Sequence, residues 1–444
     1  MRAALTLIAL ATAVLPVAAD DWPQWRGPQG NGVSAEKNLP TRWSAESVGW
    51  KAPLGGLGIS SPIVWGDRVF VTSQAGRGAL RPGNHPTLAR GDEAKDEKPL
   101  GAGASEAAAK VEFLVEAFSR KDGRRLWQHR IAAEGDLPEV HEKHNLASPS
   151  PVADGELVFA WFGNGQIVAL SHDGKPVWQR HLARELGPFT ISWGHGSSPA
   201  FFGDQIILLC DHEPGSYLLA LDKRTGKERW KVTRTKGSIS YSTPTVVKVN
   251  GSDELVVNST TRIDAYDPRT GALLWWTGEP HRFAVPVPAF HDGILYMSRG
   301  YRSGPYMAIQ AGGRGDVSGT HVRWSVPTGA PYVSSLVYYD GLVYMASDVG
   351  VVSAIDAKSG ERVWQERIAG IFTASPVAGD GKVYLPSETG DTIVLAAGRE
   401  PRVLARNPLG ERTAASPAVA HGRIFLRTDA HLIALGPDRA PGTK

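Results

Sequence analysis

His141-Glu142-Lys143-His144 puts two histidines and a carboxylate within four residues, a set that could bind a metal ion or move protons. The metalloprotease pattern HExxH separates its histidines by one helical turn; here the spacing is one residue shorter and leads into a strand. No third ligand stands at a recognisable interval, so no metal site is expected. Trp193-Gly-His195-Gly-Ser197-Ser198 likewise misses the GxSxG nucleophile pattern, and the chain contains no GxGxxG or GxxxxGK[ST] phosphate loop. No residue is assigned a catalytic role; these side chains are read as binding groups, with His195 lining a channel.

The elements that position them come from a repeat. Ala220-x-Asp222-x-x-Thr225-Gly226-x-x-x-Trp230 returns as Ala265 to Trp275 and, with Ser for Thr, as Ala354 to Trp364. Looser copies carry Trp127, Trp178 and Trp324, and recurrence at about 40 to 50 residues is the mark of a repeat architecture. Each unit opens on a small residue before proline, runs through an apolar stretch after a DG-type turn, and ends in an alternating stretch and a Trp strand. Short alternating runs between Gly and Asp turns are strands joined as hairpins, so each unit is a four-stranded antiparallel sheet. Such sheets bury both faces only by stacking radially, as blades of a propeller.

Eight openings occur: Ser61-Pro62, Ser150-Pro151, Ser198-Pro199, Thr243-Pro244, Pro286-Val-Pro288, Ser335-Leu336, Ser375-Pro376 and Ser416-Pro417. The last unit stops at Leu435 without its Trp strand, while Val48-Gly-Trp50-Lys-Ala-Pro53 precedes the first. The prediction is all-β: an eight-bladed propeller over 43–436, closed by an N-terminal strand that completes the last blade. The repeated Trp is read as structural, docking between blades. The frame Asp is read as an acceptor for turn amides, and the Gly as the residue that takes positive φ.

Composition agrees. Over 444 residues, 50 Gly and 31 Pro without a collagen period point to many short strands and turns. The formal charge of +3 makes no case for nucleic acid or anionic lipid, which need a concentrated basic face. Met1-Arg2, the apolar stretch Ala3–Ala19 and a small-residue end predict a signal peptide over 1–19, hence a soluble exported protein, periplasmic or secreted. Cys210 is the only cysteine, so no internal disulfide can form, and its apolar setting makes it a core thiol.

The AxDxxTGxxxW frame with its SP openings resembles the pyrroloquinoline quinone (PQQ) repeat of quinoprotein dehydrogenases and of the bacterial outer-membrane assembly propeller lipoprotein. The resemblance covers about Trp43 to Leu435. Asp21-Trp22-Pro-Gln-Trp25-Arg26-Gly27-Pro28 also resembles the N-terminus of exported propellers without an assigned reaction. In the dehydrogenases the resemblance implies a quinone over a vicinal disulfide, with Ca²⁺ and an Asp base. One cysteine cannot form that disulfide, and no Asp here takes the place of the base. The expectation is a non-enzymatic propeller without a cofactor, binding a protein partner or polar ligand. The alternative is a PQQ- and Ca²⁺-dependent oxidoreductase acting on alcohols or sugars.

In a propeller the segment leading to each innermost strand and the loop after its second strand share one face. The candidates for binding on that channel face are His141, His144, Asn145, Trp193 and His195, together with Tyr241, Tyr332, Glu388 and Arg412. Middle-loop positions Arg299, Asp348 and Arg427 sort to it as well. Residues 20–42 form an N-terminal extension and 437–444 a tail. The stretch 74–110, rich in Gly, Ala and mixed charge, is a long flexible loop over the channel face, or a lid.

Overall fold

Apolar runs such as Gln205-Ile-Ile-Leu-Leu-Cys210 do not alternate because both of their sheet faces are covered by neighbouring blades. The outermost strands do alternate, as Glu228–Thr233 shows, since one side meets solvent. The computed structural model describes residues 21–44, 48–78, 110–212, 214–301, 303–368 and 370–436. The expected signal peptide, the tail and all but the edges of the 74–110 loop lie outside these residues. Gln74 and Ala75 are still strand, paired with Phe113 and Glu112.

Eight antiparallel sheets form the ring. Blade 1 pairs Ile63–Trp65, Arg68–Ala75, Glu112–Ser119 and Arg125–Ala132 in that order. Blades 2 to 7 repeat the order along the chain. Blade 8 takes Ala418–Ala420, Arg423–Arg427 and His431–Leu435, and its outermost strand is Trp50–Pro53 from the start of the chain. Blade 4 differs from the four-stranded expectation: a short segment of the following blade, Gly315–Asp316, adds a fifth strand in parallel beside Trp275 and Trp276.

The repeated Trp stands opposite the small Ala of the third strand, as in Ala117 with Trp127, Ala169 with Trp178 and Ala434 with Trp50. Trp178 Nε1 donates to the Lys223 carbonyl at 2.8 Å in the next blade, and Trp127, Trp230, Trp324 and Trp364 make the same cross-blade bond. Beneath Trp178 lies Gly226 at φ +67°; a Cβ there would stand 2.7 Å from the ring, so glycine is required. The frame Asp closes this turn, Asp222 Oδ1 accepting from the Arg224 and Thr225 amides. Trp275 departs from the pattern: the extra strand buries it and its Nε1 donates to Glu254 of its own blade at 2.8 Å.

The N-terminal extension, to which the sequence reading gave no role, runs across the turn face. Trp22 exchanges amide hydrogen bonds with Val64, and Asp21 accepts from Gly66 N–H in the blade 1 turn. Further on, Ser34 donates to Ala378 O and Leu39 N–H to Asp380. Between these anchors Trp25 enters the channel, its Nε1 donating to Ser416 Oγ at 3.3 Å.

Candidate functional site

The residues that open the innermost strands make a collar. Ser61 N–H donates to Ser150 Oγ, Ser150 N–H to Ser198 Oγ and Ser198 N–H to Thr243 Oγ1, each at 2.9 Å. Val287, Ser335 and Ser375 donate in the same way to Ser335, Ser375 and Ser416 at 2.9 to 3.1 Å. The hydroxyls of Ser150, Ser198, Ser335, Ser375 and Ser416 thus each join two blades, a role that no reading of one unit in isolation reveals.

Above the collar and Trp25 lies a cavity of about 450 Å³. Its wall follows a rule of two: Ile59, Ser148, Gly196, Tyr241, Val285, Val333, Thr373 and Ala414 each stand two residues before an opening position, and all line it. An extended chain sends alternate side chains to opposite sides, so the residues between them face into the blades. The rim adds His141, Glu142, Lys143, His144, Trp193, Tyr332 and Asp348. Trp25 closes the lower end. The result is a cup open toward the channel face.

Of the sequence candidates, His141, His144, Trp193, Tyr241 and Tyr332 line the cup. His195 does not. Its neighbours Gly194 and Gly196 face the cavity, and the histidine, one step out of phase, is buried among Trp161, Phe189 and His212. Burial lowers its pKa to about 3. Counting back by twos from Ser198 passes over His195, although Trp193, equally out of phase, still reaches the rim. Asn145 serves a turn at the rim, its Nδ2 donating to Leu57 O and its Oδ1 accepting from Ala147 N–H. Arg299 and Arg427, though they sort to this face, are buried between blades; Arg427 donates to Ser60 and Ser73 hydroxyls.

Glu388 and Arg412 are outside the lining and act through an ion-pair chain. Lys143 Nζ lies 3.0 Å from Glu388, bridging the approach to blade 2 and the middle loop of blade 7. Glu388 also accepts from Thr373 Oγ1, while Arg412 stands 3.7 Å from Glu388 and 3.1 Å from Asp429. Asp348 accepts from Tyr332 N–H at 3.0 Å, and burial raises its carboxyl to about 6 against the opposing effect of that amide. His144 Nε2 bonds the Trp193 carbonyl and Nδ1 the Ser148 hydroxyl, and burial lowers its pKa. Among the cup residues absent from the named binding candidates are Trp25, Lys143 and Asp348. Trp25 stands outside the repeat, and Asp348 was one middle-loop residue among several.

An eight-bladed ring of PQQ-type repeats around a one-ended cup defines the class of protein. The chain belongs to the family described as outer membrane protein assembly factor BamB, whose model matches residues 111–282, 259–397 and 348–440. Tetrathionate hydrolase of Acidithiobacillus ferrooxidans is 25% identical over 357 residues, which cover 76% of this chain and 64% of that protein. The match therefore spans under two thirds of that relative's length. BamB of Yersinia pestis is 20% identical over 345 residues, covering 76% of this chain and 72% of its own. Among solved structures, quinohemoprotein alcohol dehydrogenase from Comamonas testosteroni superposes with a TM-score of 0.65 at 12% identity, covering 96% of this chain and 82% of that one. BamB from Moraxella catarrhalis gives 0.58 at 14% identity, covering 88% and 98%. At such identities these structures share the fold alone.

The dehydrogenase likeness raises the question of a quinone. Cys210 is buried in blade 3, outside the cup lining, and burial pushes its thiol well above the usual range. Among the described residues no group of three or more His, Cys, Asp or Glu could hold a metal ion. Among its described residues the cup lining presents one ammonium, Lys143, to a molecule that carries three carboxylates. These residues do not fit PQQ with its Ca²⁺.

Proposed function

We propose that this chain is a non-enzymatic, exported propeller that binds a protein segment or polar ligand in the cup on its channel face. The cup itself carries the reading: a cavity of about 450 Å³ with its lower end closed by Trp25, walled by Trp193, Tyr241 and Tyr332 and rimmed by charge. Concave, aromatic-lined sites with a few convergent polar groups are the usual form of binding sites. Family membership beside BamB proteins, which are named as assembly factors, supports a protein partner. Export accords with the expected signal peptide; among the described residues no helix is long and apolar enough to cross a membrane.

The test is retention of a partner from envelope extract on immobilised wild type, compared with Trp193→Ala and Tyr332→Ala proteins of unchanged melting temperature. Loss in both variants is expected, and equal recovery by all three would overturn the reading.

One observation favours a catalytic alternative: Asp348, with its carboxyl raised to about 6, is suited to exchange protons near neutral pH. Incubation with tetrathionate, and with PQQ, Ca²⁺ and alcohols or aldoses plus a redox dye, tests it. Turnover that disappears in Asp348→Asn would replace the binding reading.

A further inference from the structure

Charge in the cup is unevenly compensated. Lys143, the one ammonium among the described residues of the lining, lies 3.0 Å from Glu388, and Arg412 near the mouth pairs with Asp429 at 3.1 Å. Asp348 accepts from the main-chain N–H of Tyr332 at 3.0 Å and feels the Lys143 charge through space, while among the described residues no cation stands within ion-pair distance of it. A carboxylate taken from water without a cation is costly, and an incoming positive group would repay that cost. The lining also supplies four large aromatic rings, those of Trp25, Trp193, Tyr241 and Tyr332, whose faces attract cations. His144 stays uncharged near neutral pH, since burial lowers its pKa, so it adds no opposing charge.

We propose that the cup selects an organic cation, a primary amine or guanidinium whose charged end pairs with Asp348 while its apolar stem packs on Trp193, Tyr241 and Tyr332. This rests on the cup being a binding site and names its ligand class. The group can come from a Lys or Arg side chain of a protein segment or from a small free amine, and the chemistry in the cup is the same. Anionic ligands are disfavoured by the same carboxylate.

The experiment follows tryptophan fluorescence of the full chain titrated with four probes. These are n-butylammonium, n-butylguanidinium, butyrate, and a pentapeptide with a central lysine, the last also in its acetyl-lysine form. Saturable binding of the cations is expected, weaker by at least tenfold in Asp348→Asn, with butyrate silent. Lys143→Gln, which removes the rival cation, is expected to tighten cation binding severalfold, and it keeps the test decisive should Asp348→Asn fold poorly. Affinity is expected to fall as pH drops through about 6, where Asp348 takes up a proton. Peptide binding that is lost on lysine acetylation and exceeds that of n-butylammonium identifies a protein segment as the source; the reverse order identifies a free amine. Tighter binding of butyrate would overturn the cation assignment while leaving the cup as a binding site. Failure of every probe in wild type would overturn it too, and partner retention that still depends on Trp193 would show that the binding reading survives.

Discussion

The contact between Trp178 and Gly226 condenses the fold into two side chains, one large and one absent. Gly226 and Gly203 both hold positive φ, but a Cβ at Gly203 would meet nothing within 4 Å, whereas at Gly226 it would meet the indole at 2.7 Å. Gly203→Ala is expected to cost about 1 kcal/mol, for backbone strain alone. Gly226→Ala is expected to cost about 3 kcal/mol, because the ring must also move from its bond to Lys223. Urea unfolding of both variants measures the difference. Such pairs were legible in the sequence because Gly, Asp and Trp recur at fixed local distances. His195 was not legible in the same way, since its type suited a channel and only its phase in the extended segment hides it. Its burial has a consequence for pH. The folded pKa, near 3, lies below the unfolded value of about 6.5. The unfolded chain therefore takes up a proton first as the pH falls. The stability that neutral His195 contributes is intact above about 6.5 and is lost progressively toward 3. A variant His195→Phe is expected to show a shallower decline of melting temperature over that window.

At the scale of the element, the approach segments to the innermost strands carry the site by alternation. Val333 lines the cup and the next residue, Ser334, is fully buried in the opposite direction. Val333→Trp is therefore expected to fill the cup and abolish binding with little change in melting temperature. Ser334→Trp must overpack the blade interface and is expected to lose several kcal/mol or fail to fold. Melting curves paired with probe titrations separate the two outcomes, and similar melting temperatures would show that the alternation rule does not hold. Five of the eight openings were readable as SP dipeptides, and the wall residue two positions before each opening follows from it by counting back. Two features lay beyond that reading. The 21–43 segment repeats nothing, so neither its path along the turn face nor the entry of Trp25 into the channel had a local signal. The Gly315–Asp316 strand arises from an insertion in blade 5 whose pairing partner belongs to blade 4, and a strand of two residues leaves no periodicity to detect.

For the whole molecule, the seam between blades 8 and 1 is where the two ends of the chain meet. The missing Trp strand of the last unit and the spare strand before the first made closure readable, and the register of Trp50 with Ala434 completes it. Contacts at different depths hold the seam, among them Arg423 of blade 8 donating to Arg120 O and Lys121 O of blade 1 at 3.1 and 3.2 Å. On the outer side Trp50 covers Gly123 of blade 1 and donates to Arg120 O at 3.0 Å. Near the channel, buried Arg427 donates to Ser60 and Ser73 of blade 1 at 2.5 and 2.9 Å. Removing residues 1–54 deletes the Trp50 contact and the floor of the cup but leaves the Arg423 and Arg427 contacts. The strand His431–Leu435 then presents an unpaired edge, a template for pairing with another chain. The truncated protein is expected to melt lower and to associate at micromolar concentration by light scattering, while the full chain stays unassociated. A peptide of residues 48–54 added in trans should cap the edge and suppress that association, at a concentration well above the effective one its tether provides. A truncated protein that neither associates nor melts lower would show that the inner contacts, with Arg427 at their centre, suffice to close the ring.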